Sequence, residues 1–198
     1  MKFDLVHDTQ GIFRTVVKCM SRPGTIAHIG AKSELLDLET AMSRHMLSLL
    51  FVLLDREVTF AVLDEEGEKM TSLINQLTYA KSTSPEWADY LIVTAKAGQK
   101  VLQNGFGKAK IGTLVDPHKA ATVILEVEEM TAQGDLVLRG PGIQYEHYLG
   151  MQGHSDWLDI REKKNSEFPL GIDMILIDRQ GNMVCLPRTT TITRQVIQ

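Results

Sequence analysis

The amino-acid sequence predicts an α/β protein, a mixed β-sheet covered by helices. Three observations carry that expectation. Segments with apolar residues at helical spacing dominate the first half of the chain, and short β-branched runs dominate the second. Two late runs, Ile172–Ile177 and Met183–Leu186, are apolar almost throughout, the mark of strands covered on both faces. The 198 residues are 43% hydrophobic and 23% charged, so there is ample material for a core. One domain over residues 1–198 is expected, because no repeat, low-complexity tract or linker divides the chain.

The elements follow in order. Asp8 or Thr9 is placed to cap a first helix running to Met20. Its apolar residues Ile12, Phe13, Val16, Val17 and Met20 recur at helical spacing, and Arg14 and Lys18 lie one turn apart on another face. Ser21-Arg22-Pro23-Gly24 stops it, since a proline disfavours helix in the residue before it. A short strand is expected at Thr25–Ile29. A second helix, Glu39–Asp55, turns apolar nearly all round from Met46, as a helix in a core or a subunit interface does. Val58, Phe60 and Val62 alternate in a strand at Glu57–Leu63. Glu68–Ala80 reads as a third helix, with Met70, Leu73, Ile74 and Leu77 on one stripe. Beyond a Ser82–Pro85 loop come a strand at Ala88–Ala95, a short helix at Gln99–Phe106 and a loop at Gly112–Lys119. Strands are expected at Thr122–Val127, Leu136–Leu138 and, past the Gly140-Pro141-Gly142 turn, Ile143–Tyr148. Ser155 or Asp156 caps a last helix to Lys163. The closing hairpin turns through Asp178-Arg179-Gln180-Gly181-Asn182, where Gly181 can take a positive φ.

Several classes of function are disfavoured. A net charge of −4 gives no general basic footprint for nucleic acid. The longest apolar run, Met46–Leu54, is far short of the roughly 20 residues a membrane span needs. Asp4 and Asp8 interrupt the first ten residues, so no signal peptide is expected there and the protein is read as cytoplasmic. Cys19 and Cys185 have no metal-type spacing and read as reduced core thiols. There is no phosphate-binding Gly-x4-Gly-Lys-Ser/Thr loop, His-Glu-x-x-His or Gly-x-Ser-x-Gly. His147, His154 and Asp156 could form a zinc set only if a turn joined them, and ordinary surface histidines are the simpler reading. His45, at the edge of the apolar run, belongs to an interface or is satisfied within the core.

The candidate site residues lie at two places. In Ser21-Arg22-Pro23-Gly24, Gly24 permits close backbone approach and Arg22 could grip a phosphate with two donors; the plain alternative is a helix stop with a surface arginine. At the hairpin, Asp173 interrupts an apolar strand, where a carboxylate is costly unless paired. Arg188 is its natural partner. Arg188, Thr189 and Thr190, just beyond a buried strand, also form a plausible oxyanion-holding surface. Asp173 and Arg188 are either a structural pair or one wall of a binding site.

These blocks together resemble the PhnH family of the bacterial carbon–phosphorus lyase system. The resemblance rests on Phe13-Arg14 through Met20-Ser21-Arg22-Pro23-Gly24, on Gly140-Pro141-Gly142-Ile143, and on Phe168-Pro169-Leu170-Gly171-Ile172-Asp173 through Leu186-Pro187-Arg188-Thr189-Thr190. It implies a fold like the large domain of pyridoxal-phosphate-dependent transferases, without the cofactor lysine and with no cofactor. It implies a homodimer that joins the PhnG, PhnI and PhnJ subunits. Their complex would convert ATP and a phosphonate to a ribose 1-phosphonate 5-triphosphate, releasing adenine, with the chemistry placed on a partner and no catalytic residue known in this subunit.

Overall fold

A computed structural model describes residues 4, 6–34, 42–154 and 156–195. Its helices are α1 (His7–Ser21), α2 (Gly30–Ser33), α3 (Arg44–Leu53), α4 (Gly67–Thr78), α5 (Gln99–Phe106) and α6 (Trp157–Lys164), with a 3-10 turn at Pro117–Lys119. Its strands are β1 (Ala27–His28), β2 (Thr59–Leu63), β3 (Lys81–Ser82), β4 (Tyr90–Val93), β5 (Thr122–Val127), β6 (Glu129–Arg139), β7 (His147–Gln152), β8 (Asp173–Asp178), β9 (Asn182–Leu186) and β10 (Thr191–Arg194). The large sheet has seven strands in the order β1-β9-β8-β5-β4-β2-β3. Strands β8, β5, β4, β2 and β3 run parallel; at one edge β9 is antiparallel to β8, and β1 is antiparallel to β9. A second, antiparallel sheet has the order β10-β6-β7.

The apolar strands are covered on both faces, as their composition predicts. Successive residues point to opposite sides of a strand. Leu91 and Val93, Val123 and Leu125, and Met174 and Leu176 face one core, shared with Leu102, Phe106, Trp157 and the small sheet's Leu136, Leu138 and Leu149. Ile92, Ile124, Ile175 and Ile177 face the other, shared with Ile12, Val16, Met46, Leu50, Met70 and Ile74. Helices α1, α3 and α4 therefore cover one side; α5, α6 and the small sheet cover the other. Along α3, residues 45–50 are all buried, which places the apolar helix in the core.

Several expectations shift. Asp4, not Asp8 or Thr9, supplies the carboxylate at the start of α1, accepting from the N–H groups of Val6 (2.8 Å) and His7 (3.0 Å). The strand at Thr25–Ile29 narrows to a two-residue edge pair against Met183 and Asn182. The strand placed at Ile143–Tyr148 lies four residues later: Ile143 donates back to Gly140 in the turn, and pairing with β6 begins at His147. Leu136–Leu138 is the end of an eleven-residue strand whose polar middle disguises it. Strand β10 was hidden in the polar Thr191–Arg194. The start of the helix expected from Glu39, and Ser155 as a cap, lie outside the described residues.

Candidate functional site

The two ends of the parallel strands differ. At their amino end, Asp173 opens β8 and Arg188 follows β9 on the neighbouring antiparallel path. Arg188 Nη2 lies 2.6 Å from Asp173 Oδ2, while its Nε (3.3 Å) and backbone N–H (2.7 Å) both donate to Oδ1. Nη1 donates to the carbonyls of Pro117 (2.7 Å) and Pro169 (3.4 Å). Every nitrogen of the guanidinium is thus engaged. The pair ties the β9 exit to β8 and to the loops entering β5 and β8. With side chains 16% and 24% exposed, it is partly desolvated, which strengthens the attraction.

The three sequence blocks meet beside this pair. Gly142 (φ +86°) approaches so closely that a Cβ there would lie 2.6 Å from Ser21 O and 2.8 Å from Pro23 Cδ. A Cβ on Gly140 (φ +138°) would lie 2.7 Å from Thr189 O. His147 Nδ1 donates to Pro23 O at 2.8 Å. The turn at Gly140–Gly142 is therefore wedged between Ser21–Pro23 and Thr189–Thr190. Thr190 is buried, whereas Arg22 and Thr189 are exposed. The candidates so divide: Asp173, Arg188 and Thr190 lie within the corner, and Arg22 and Thr189 lie on its surface.

Arg161 was missed. It sits in what reads as a charged helix tail, yet it is 3% exposed. Its Nη2 donates to the carbonyls of Pro187 (2.7 Å) and Thr190 (3.0 Å), holding the segment that carries Arg188 and Thr189. Burial lowers its pKa to about 10. No local pattern marks which basic residue of such a tail turns inward.

The carboxyl end has another chemistry. Helix α4, after β2, and α5, after β4, pack on opposite faces, so the crevice between those adjacent parallel strands is a topological switch point, the usual ligand position in open α/β sheets. Thr94, after β4, donates to Asp64, after β2. Glu126 on β5 is 4% exposed and accepts from the N–H groups of Ser43 and Ala95, each at 3.2 Å. His154 has a left-handed backbone (φ +34°), and its Nε2–H donates to Thr94 O at 2.9 Å. His154 and Gly153 line two adjoining hollows of about 480 and 350 Å³, the smaller also bounded by Glu128, Gln99 and Asp156. Asp178, fully buried at the end of β8, is consumed by the hairpin turn, accepting from Gln180 and Asn182 N–H and Asn182 Nδ2, each at 2.9 Å. His147 and His154 lie at opposite ends of β7, roughly 20 Å apart at strand rise. No group of three metal-binding side chains forms among the described residues.

His45 is satisfied within the core, in contact with Ser33 Oγ. Cys19 and Cys185 are both buried. No helix among the described residues is long and apolar enough to cross a membrane.

Fold and site define an α/β protein with a mixed sheet whose arginine–aspartate corner is assembled from three separate sequence blocks. The chain belongs to the PhnH family of bacterial phosphonate metabolism proteins, whose profile matches residues 2–193. It is 26% identical over 204 residues to a Rhizobium meliloti protein named alpha-D-ribose 1-methylphosphonate 5-triphosphate synthase subunit PhnH, covering 97% of this chain and 94% of that one. It is 29% identical over 186 residues to HtxG of Stutzerimonas stutzeri, a proposed C-P lyase subunit protein, covering 92% of this chain and 85% of that one.

Proposed function

We propose that this chain is a non-autonomous subunit of a complex that transfers the ribose triphosphate of ATP to a phosphonate, giving a ribose 1-methylphosphonate 5-triphosphate and releasing adenine. The observation that carries the reading is the near full-length similarity to a subunit named for that synthase. In this reading the chain forms a homodimer and joins the PhnG, PhnI and PhnJ subunits in the cytoplasm. Its own fold, akin to the large domain of pyridoxal-phosphate-dependent transferases, serves as a scaffold.

The corner geometry supports a division of labour within the candidate set. Asp173 and Arg188 satisfy each other, and Thr190 is buried, so these three hold the scaffold. Arg22 and Thr189, exposed on either side of the Gly140–Gly142 turn, offer donors to a phosphate or phosphonate oxygen. They form one wall of a site that another chain completes.

The test is reconstitution. The partner subunits are expressed with and without this chain, and adenine release from ATP and methylphosphonate is measured. Release is expected only when the chain is present, and the isolated chain is expected to release none. Adenine release by the isolated chain, or full activity without it, overturns the proposal. For the shared wall, Arg22→Ala is expected to raise the assembled complex's KM for the phosphonate about tenfold, the loss of one good charge-assisted contact. Isothermal titration of the isolated chain with ATP and phosphonate separates a shared wall from an autonomous ligand site, since tight binding by the free chain favours the latter.

A further inference from the structure

The chain has two cysteines, far apart in sequence, and the fold brings them together. Cys19 lies in the last turn of α1, on the buried face it shares with Ile12 and Val16. Cys185 lies near the end of β9. They are 1% and 0% exposed. Cys185 Sγ comes within 3.9 Å of Val16 O, one turn before Cys19, and its thiol meets the Cys19 sulfur in a hydrogen bond. A buried thiol behaves as a small apolar group, and packing alone gives it no need of a second thiol beside it.

The contact makes the two sulfurs unequal. The hydrogen bond from Cys185 holds the Cys19 thiol below the ordinary cysteine value, against the opposing effect of burial. The same contact, and then burial, pushes Cys185 well above that value. Cys19 is therefore the nucleophile of the pair, and Cys185 the resolving thiol.

The pair stands directly behind the corner. Ser21-Arg22-Pro23-Gly24 begins two residues after Cys19, and Pro187-Arg188 two residues after Cys185. A backbone bond from Gly24 N–H to Cys185 O, at 3.4 Å, spans the same gap. Burial also selects the reagent. Bulky or charged disulfides have no line of attack on sulfurs so enclosed, whereas a small neutral oxidant enters through the local openings of a helix end.

We propose that Cys19 and Cys185 form an oxidative modification site, at which a small neutral peroxide links them in a disulfide that locks the end of α1 to β9. The Cys19 thiolate attacks one peroxide oxygen, the O–O bond breaks, and the departing hydroxide takes up the Cys19 proton as water. The Cys185 sulfur then attacks the Cys19 sulfenic acid, and an S–S bond forms. The sulfenic hydroxyl leaves with the Cys185 proton as a second water. Both thiols are oxidised, and one peroxide is reduced to two waters.

The full chain, reduced and freed of reductant, is treated with an equimolar amount of hydrogen peroxide. It is quenched by alkylation in denaturant and mapped by mass spectrometry without reduction. A peptide pair joined through Cys19 and Cys185 is expected, and dithiothreitol should restore both thiols. Oxidised glutathione should leave both sulfurs reduced in the native protein and react with them in denaturant. Closing so long a loop should raise the thermal midpoint of the oxidised protein by about 10 °C. Neither Cys19→Ala nor Cys185→Ala should gain this shift, and the wild-type map does not depend on their folding. Two free thiols after peroxide overturn the proposal, as does a linked protein that melts below the reduced one. Equal reaction with oxidised glutathione in the native protein overturns the selection of a small oxidant. Faster oxidation of Cys185 in Cys19→Ala than of Cys19 in Cys185→Ala overturns the order of attack.

Discussion

The two ends of the parallel sheet use polar side chains in opposite ways. At the amino end, Asp173 and Arg188 close on each other and on the carbonyls of Pro117 and Pro169, so the charge there holds loops together. At the carboxyl end, His154 donates to Thr94 O and lies beside two hollows on a left-handed backbone. A charged pair that satisfies itself stabilises; a group held in an unfavourable conformation beside open space is the usual form of a functional position. The residues that most resemble an active site in the sequence are thus the ones most occupied with structure.

That contrast can be broken by substitution. The largest effect is expected at the corner. Arg188→Ala leaves the Asp173 carboxylate with one backbone donor and releases both loops, at a cost of about 3 kcal/mol by urea denaturation. Arg188→Lys should recover little, because a single ammonium cannot replace three donors aimed in different directions. A loss under 1 kcal/mol for Arg188→Ala would remove the structural role and return the arginine to the ligand site. Next comes Gly142→Ala, which forces a side chain into a left-handed backbone and against Ser21 O, and should cost about 2 kcal/mol on the same measurement.

At the carboxyl end the effects are smaller, and one reverses sign. His154→Gly relieves the left-handed strain and should raise stability by up to about 1 kcal/mol, less the lost bond to Thr94. A destabilisation above 1 kcal/mol would make His154 a structural residue like Arg188 and erase the contrast. The smallest effect is a pH dependence near the hairpin turn. Burial lowers the pKa of His45 below its ordinary 6.5. As pH falls from 6.5 through that lowered value, the unfolded chain binds a proton that the folded chain refuses, so stability declines with acidity and then levels. In His45→Asn this slope in the denaturation midpoint below pH 6.5 should flatten; an unchanged slope assigns the acid sensitivity to other groups.

The helix Gln99–Phe106 and the strand Thr122–Val127 were legible residue for residue, because flanking glycines or polar turns mark their limits. The hairpin was legible from its two apolar runs, and Asp173 from the cost of a carboxylate inside one. The Asp173–Arg188 pairing was legible as well, since antiparallel return brings the hairpin's two ends together. Arg161, Glu126 and His154 were not. Each looks ordinary in its local segment, and each acquires its role from contacts 26 to 83 residues away.

The sequence by itself determined the α/β class, the doubly covered strands and the three blocks that mark the family, because periodicity and turn chemistry act over a few residues. Tertiary structure alone decided that those blocks form one corner, that Arg188 is engaged while Arg22 and Thr189 stay exposed, and that Cys19 meets Cys185. Whether an arginine is spent or available depends on which carbonyls and carboxylates arrive around it, and those come from distant parts of the chain.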